Sequence, residues 1–239
     1  MTGFFHVAVA VLSLLSVGQS APVSSCESLI QPLEIQGREQ LLGKWTYLAE
    51  STNIPGSNFL TKMFVETAWG EITAANESGA INAIHSQKMF GRCFTLIIKM
   101  TLENNTLSML QTFTTSTVLL NTGCPDCLVS YSKYTIGGST YSGIQLASMR
   151  NKVTAAELEE FTKQVECLNL TPPTLLEPEK GFCPDGSSSQ ETTTIDLTSF
   201  SDDTASKVIN LFDKMINSEG GLKRLTEMIS SAIGGLKEN

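Results

Sequence analysis

Six cysteines and two histidines are the residues with which this chain could do chemistry. Cys124 and Cys127 stand three apart in Gly123-Cys-Pro-Asp-Cys127, a spacing shared by dithiol redox pairs, zinc half-sites and tight structural disulfides. A redox role wants the pair at a helix N-terminus, where the thiol pKa falls. The flanking Gly, Pro and Asp instead mark a β-turn. A zinc site would need two further ligands. Nucleophilic catalysis of the Ser-His-Asp or Cys-His kind would need a histidine. His6 lies in an apolar leader, which leaves His85, between Ile84 and Ser86 on a predicted strand. No Gly-x-Ser-x-Gly or comparable setting surrounds it, so a solvated strand residue is expected and an enzyme is not. Sequons at Asn76, Asn104 and Asn169 are candidate glycosylation sites. The third is followed by Pro172 directly after Thr171, which lowers its use.

Cysteine chemistry depends on the compartment, and the leader bears on that. Val7 to Val17 is an apolar run followed by Gly18 and Ser20, small residues that fit a cleavage site before Ala21. The run is shorter than the roughly 20 apolar residues of a membrane span. Residues 1–20 therefore read as a signal peptide, and the protein as secreted and extracellular. An even cysteine count in an oxidising compartment suggests a complete disulfide set. The formal charge of −8 falls wholly outside the leader. That sign argues against nucleic acid and against polybasic attraction to anionic lipid.

The elements that would position these residues are mostly strands. Short β segments are expected near 43–51, 62–74, 79–88, 91–101, 105–112, 115–121, 127–135 and 140–149, separated by turn residues such as Asn76-Glu-Ser-Gly79 and Glu103-Asn-Asn105. Such a meander can close into an antiparallel up-and-down barrel holding one small ligand. A helix follows: Thr154 and Glu157 form a capping box, and Leu158, Phe161, Val165 and Leu168 share one face that would pack on the barrel. The folded domain is expected to span 21–183. Residues 184–200, rich in Ser, Thr and Gly around Pro184–Thr194, read as a flexible linker. Residues 201–239 read as an amphipathic helical tail, with Val208, Leu211, Phe212 and Met215 on one stripe and Leu222, Leu225, Ile229 and Ile233 on another.

Gly43-Lys-Trp45 opens the first strand with Tyr47 two residues on, and the strands-then-helix order follows. With the run Gly143-Ile-Gln-Leu-Ala147 through Thr154, Leu158, Phe161 and Cys167, and with Cys93 followed by Asn104-Asn-Thr106, the chain from Cys26 to Cys183 resembles the α1-acid glycoprotein and apolipoprotein M group of lipocalins. It is similar in particular to fish members that bind tributyltin, saxitoxin or tetrodotoxin. The resemblance implies an eight-stranded lipocalin barrel and the pairs Cys26–Cys167 and Cys93–Cys183, leaving Cys124–Cys127 as a disulfide across the turn. It places Arg150 over the Trp45 ring at the barrel floor as a cation–π pair, with Gly43 and Trp45 structural. The chain departs from the family's usual Thr-Asp-Tyr-like motif, carrying Cys124-Pro-Asp-Cys127 there instead.

The resemblance also implies a ligand site. Strand side chains alternate in and out, and carrying the group's pocket positions over points to Tyr47, Met109, Val129, Tyr131, Gln145 and Ala147, with Leu107 and Lys133 on the same parity. Residues near Trp45 would pack, and those toward the open end would bind. The expected function is a secreted carrier of a small, largely hydrophobic molecule, with no metal and no cofactor. The alternative is a lipoprotein-associated or protein-interaction module acting through the C-terminal helices.

Overall fold

A computed structural model describes residues 25–89, 91–109, 115–136, 139–184, 192–196 and 198. The signal peptide and the helical tail read from the sequence lie outside the described residues. After a short helix α1 (Cys26–Leu29) and a 3-10 turn at Arg38–Gln40, the chain enters β1 (Gly43–Thr52). It then forms α2 (Ser57–Phe64), β2 (Val65–Ala74), β3 (Ala80–Met89), β4 (Arg92–Glu103), β5 (Thr106–Met109), β6 (Thr115–Leu120), β7 (Cys127–Ile136) and β8 (Ser139–Ser148). Helix α3 (Ala155–Cys167), the two-residue β9 (Thr174–Leu175), a 3-10 turn at Pro178–Lys180 and β10 (Thr192–Asp196) complete it.

Strands β1 to β8 pair antiparallel in sequence order, while β8 also pairs with β1 and β4 with β5, so the sheet closes into an eight-stranded barrel. The β4–β5 turn shows how local sequence sets the register. Asn104 and Asn105 both have positive φ, 48° and 62°, the pair of left-handed residues that a two-residue hairpin turn requires. Two expectations need correction. Residues 62–64, read as the start of a strand, are the last turn of α2, which Gly56 launches from a left-handed N-cap at φ 77°. Residues 192–196, read as linker, form β10, which runs parallel to β4 with Thr192 opposite Cys93 and Asp196 opposite Ile97. Composition alone missed it because Thr-rich segments serve both as linkers and as strands once an open edge supplies partners.

The expected capping box is present: Thr154 Oγ1 accepts from Glu157 N at 3.3 Å, and Glu157 Oε2 accepts from Thr154 N at 2.6 Å. Helix α3 lies outside the barrel and buries Phe161 and Val165 completely, with Leu158 and Leu168 beside them, against Ala49, Val129, Ile144 and Leu146. Buried Gln164 donates to Leu29 O and Asn121 O, at 2.9 and 2.8 Å, tying the N-terminal segment to the helix. All three disulfides form as expected: Cys26–Cys167, Cys93–Cys183 and Cys124–Cys127. The sulfurs of the last pair are thus bonded to each other.

A second core cluster shuts one end of the barrel. Leu41, Ile81, Leu107 and Leu119 are buried there under Leu33 and Ile35 of the N-terminal segment. Arg38 fixes that segment by donating to the carbonyls of Ala75, Glu77 and Ala80 at 2.8–2.9 Å around the β2–β3 turn. Charge-assisted bonds to three converging carbonyls make a firm clasp. After α3 the chain clasps the outer wall, where Trp69 Nε1 donates to Cys183 O at 3.0 Å and Thr67 to Gly181 O at 3.0 Å.

Candidate functional site

The barrel encloses a cavity of about 470 Å³. Its walls follow strand alternation for the most part: Trp45 and Tyr47 from β1, Ile72 from β2, Ile81, Ala83, His85 and Gln87 from β3, and Phe94, Leu96, Ile98 and Met100 from β4, with Ile84 and Thr95 reaching it from the other parity. Thr115, Thr117 and Leu119 of β6, Leu128, Ser130 and Ser132 of β7, and Gln145 and Ala147 of β8 complete the ring. Among the described residues the lining holds no Lys, Arg, Asp or Glu, and most of it is aliphatic or aromatic. A smaller polar chamber of about 280 Å³ adjoins it, lined by Glu50, Thr52, Tyr134 and Ile144 and sharing Thr115, Ser132 and Gln145 with the main cavity. Both Glu50 oxygens are engaged, Oε1 by Thr61 of α2 at 2.7 Å and Oε2 by Gln145 Nε2 at 3.3 Å.

A polar cluster sits within the apolar cavity. Gly70 pairs with Trp45 on one side and with His85 on the other, and its missing side chain leaves a slot on the inner wall. The Tyr47 ring fills that slot: a Cβ on Gly70 would meet Tyr47 Oη at 3.0 Å. The Tyr47 and His85 rings lie 4.6 Å apart, tilted by 53°, a common arrangement for an aromatic pair. Gln87 Nε2 stands 2.8 Å from His85 Nε2. An amide nitrogen can only donate, so with this amide orientation His85 Nε2 accepts and its proton resides on Nδ1. Burial pushes His85 down to about 4, and burial, aided by the Glu50 charge, pushes the Tyr47 hydroxyl up to about 12. Both are therefore neutral near pH 7.

Three expected lining residues, Tyr47, Gln145 and Ala147, do line the cavity. Met109 is buried on the same side of β5 as Leu107, yet only Leu107 is among the lining residues. Val129, Tyr131 and Lys133 are on the wrong face. Directly opposed residues in an antiparallel pair share a face, and Val129 opposes Leu146 while Tyr131 opposes Ile144, both under α3. The inward residues of β7 are Leu128, Ser130 and Ser132. His85, expected to be solvated, faces inward as well. Its strand gave no clean alternation, because Ile81 and Ala83 on one parity are matched by Ile84 on the other.

The structural residues also differ in part. Trp45 is buried at the closed end of the cavity and donates to Leu41 O at 2.9 Å, and Gly43 opens β1 with φ 129°. Arg150 is not paired with the Trp45 ring. Its Nε lies 2.6 Å from Asp126 Oδ2, and Nη2 donates to Glu157 Oε1 at 2.9 Å and Cys124 Sγ at 3.0 Å. Two carboxylates outcompete a ring face for a guanidinium. These bonds push Arg150 up, and the Thr154 backbone N–H, with Arg150, holds Glu157 below the usual carboxylate range. The cation over a tryptophan is instead Lys44, 4.4 Å from the Trp69 ring centre. Asn76, Asn104 and Asn169 are all exposed.

Barrel closure in sequence order, the helix after β8 and the apolar interior define one architecture. This is the lipocalin fold. Among solved structures, the siderocalin Ex-FABP shares it with a TM-score of 0.53 at 14% identity, over 64% of this chain and 99% of that one. An odorant-binding protein matches with a TM-score of 0.51 at 15% identity, over 62% of this chain and 97% of its own. A dog lipocalin allergen matches with a TM-score of 0.50 at 14% identity, over 61% and 99%. No known family profile and no curated protein sequence matches the chain. The likeness at these identities is one of fold. Among the described residues no helix is long and apolar enough to cross a membrane.

Proposed function

We propose that this chain is a secreted lipocalin, related to the α1-acid glycoprotein and apolipoprotein M group, that carries a small, largely hydrophobic molecule and is not an enzyme. The observation that carries this reading is the cavity of about 470 Å³ with an apolar lining and a few converging polar groups. Its size falls in the range of small-molecule sites, about 300–1,000 Å³. Three disulfides support an extracellular setting. Three exposed sequons support glycosylation, with Asn76 and Asn104 in hairpin turns that a glycan reaches without disturbing a strand.

The test is titration of the secreted protein with N-phenyl-1-naphthylamine, an uncharged apolar fluorophore. Saturable enhancement with one site per chain is expected, and Ser130→Trp, which fills the cavity, should abolish it. Signal that is unsaturable, or unaffected by Ser130→Trp, would place the dye on the surface and remove the carrier reading. N-terminal sequencing of the same material should begin at Ala21.

A further inference from the structure

We infer that the cavity selects an uncharged ligand bearing a carbonyl oxygen, bound with that oxygen buried between the Tyr47 hydroxyl and the imidazole of His85. The inference rests on the carrier reading and narrows it to a chemical class.

Among the described residues His85 is bonded only through Nε2. Tyr47 and His85 both line the cavity, and His85 Nδ1, like Tyr47 Oη, has no hydrogen-bond partner among the described residues. With the Gln87 amide nitrogen facing Nε2, the imidazole proton lies on Nδ1. The cavity therefore presents two neutral donors from neighbouring rings 4.6 Å apart. Two donors call for an acceptor, and a carbonyl oxygen has two lone pairs to offer them.

Charge narrows the class further. Among the described residues no Lys or Arg lines the cavity, so a buried carboxylate would lose its hydration without gaining a counter-ion. Protonating His85 could supply one, but burial already opposes that step, with the imidazole held down at about 4. The neighbouring polar chamber offers a carboxylate anion no relief, because its described lining has Glu50 and no Lys or Arg. A ketone, ester or aldehyde accepts both bonds at no ionic cost. An unsubstituted hydrocarbon fits the walls but leaves both donors unpaired, which is itself unfavourable.

Three ligands of equal chain length separate these cases: 2-dodecanone, dodecanoic acid and dodecane. Each would displace N-phenyl-1-naphthylamine at pH 7.4 from the wild-type protein and from Tyr47→Phe, His85→Phe and the double variant. Tyr47→Phe keeps its ring, and His85→Phe puts an aromatic ring without a donor in place of the imidazole. The ketone is expected to bind at least tenfold more tightly than the acid or the alkane. Each single variant should weaken it about threefold to tenfold, and the double variant should bring it to the level of dodecane. Acid and alkane should respond little. With a carbon-13 carbonyl label, the ketone stretch should move to lower frequency on binding and return toward its hydrocarbon-solvent value in the double variant. An acid that binds as tightly as the ketone, or a ketone indifferent to both variants, would overturn the inference while dye binding upheld the carrier reading. Failure of the dye itself to bind would take both down.

Discussion

Ser130 and Gln145 stand opposite each other in the β7–β8 ladder, and both side chains line the cavity. One residue along, Tyr131 opposes Ile144 and faces α3, with its hydroxyl 3.3 Å from Ser142 Oγ. Neighbours in sequence thus serve different parts of the molecule. Tyr131→Ala should cost about 2 kcal/mol of stability, somewhat less than a fully buried aromatic would. It should leave dye affinity within twofold. Ser130→Leu should do the reverse, weakening the dye severalfold with little change in urea midpoint. Weaker dye binding in Tyr131→Ala, with unchanged stability, would mean that the face assignment of β7 is wrong.

How much of this was legible in the sequence depended on the kind of signal. The capping box at Thr154 and Glu157 and the apolar face of α3 were visible because helix signals are local. Strand existence was visible from turn residues. Strand parity was not, because β7 is buried on both faces: Val129 and Tyr131 lie under α3, while Leu128 and Ser130 face the cavity. With apolar residues on both sides, only the cross-strand register decides. That register is a property of the closed barrel. His85 was misplaced for the same reason. Arg150 was misplaced because Glu157, brought near by the capping box, and Asp126 offered it better partners than Trp45 did.

The neutral His85 should leave a mark on stability. Its folded value is about 4 against 6.5 for the free side chain. Between those values the unfolded chain takes up a proton that the folded chain refuses, so this group makes stability rise with pH across that window. Its effect is level above pH 6.5 and below pH 4. The slope approaches about 1.4 kcal/mol per pH unit within the window. Urea denaturation of wild type and His85→Phe at half-unit steps from pH 4 to 7.5 gives the difference curve, in which the shared carboxylates cancel. A flat difference would show that His85 titrates normally in the folded protein.

The disulfides should not contribute equally. Cys93 and Cys183 close a loop of 90 residues, while Cys124 and Cys127 are separated by 3. In the chain-entropy picture the long closure contributes about 4–5 kcal/mol and the short one about 2. Cys93→Ser with Cys183→Ser should therefore lower the urea midpoint at least twice as far as Cys124→Ser with Cys127→Ser. The reverse order would locate the stabilisation of the short bridge in the contact between Arg150 and Cys124 Sγ.

Gly70 gives a test of the polar cluster from behind. An added Cβ would sit 3.0 Å from Tyr47 Oη and 3.1 Å from both Tyr47 Cε2 and Ile84 O. The backbone oxygen cannot easily yield, so the Tyr47 ring must lift off the wall. Gly70→Ala should cost about 1–3 kcal/mol as overpacking and weaken dye binding. Combining it with Tyr47→Ala should recover much of that stability relative to Tyr47→Ala alone, because the slot is then empty. Additive losses would mean that the ring and the slot are not coupled.

Strand β10 covers an edge of β4. Cys183 is bonded to Cys93, and Thr192 pairs with the same Cys93, so the chain leaves β4 and comes back to it at one point. From there β10 accompanies β4 as far as Ile97, whereas among the described residues β5 pairs with β4 at Thr101–Glu103. Without β10, the backbone of Cys93–Ile97 would present an open edge beside Phe94, whose side chain is already 39% exposed. Uncovered apolar edges recruit strands from other molecules. Deleting 192–196 from the full chain should raise amide exchange at 93–97 by tenfold or more. It should also give dimers or larger species that grow with concentration in light scattering. Wild type should stay unchanged over the same range. A deletion variant that keeps both its monomeric mass and its protection at 93–97 would show that β10 does not guard this edge.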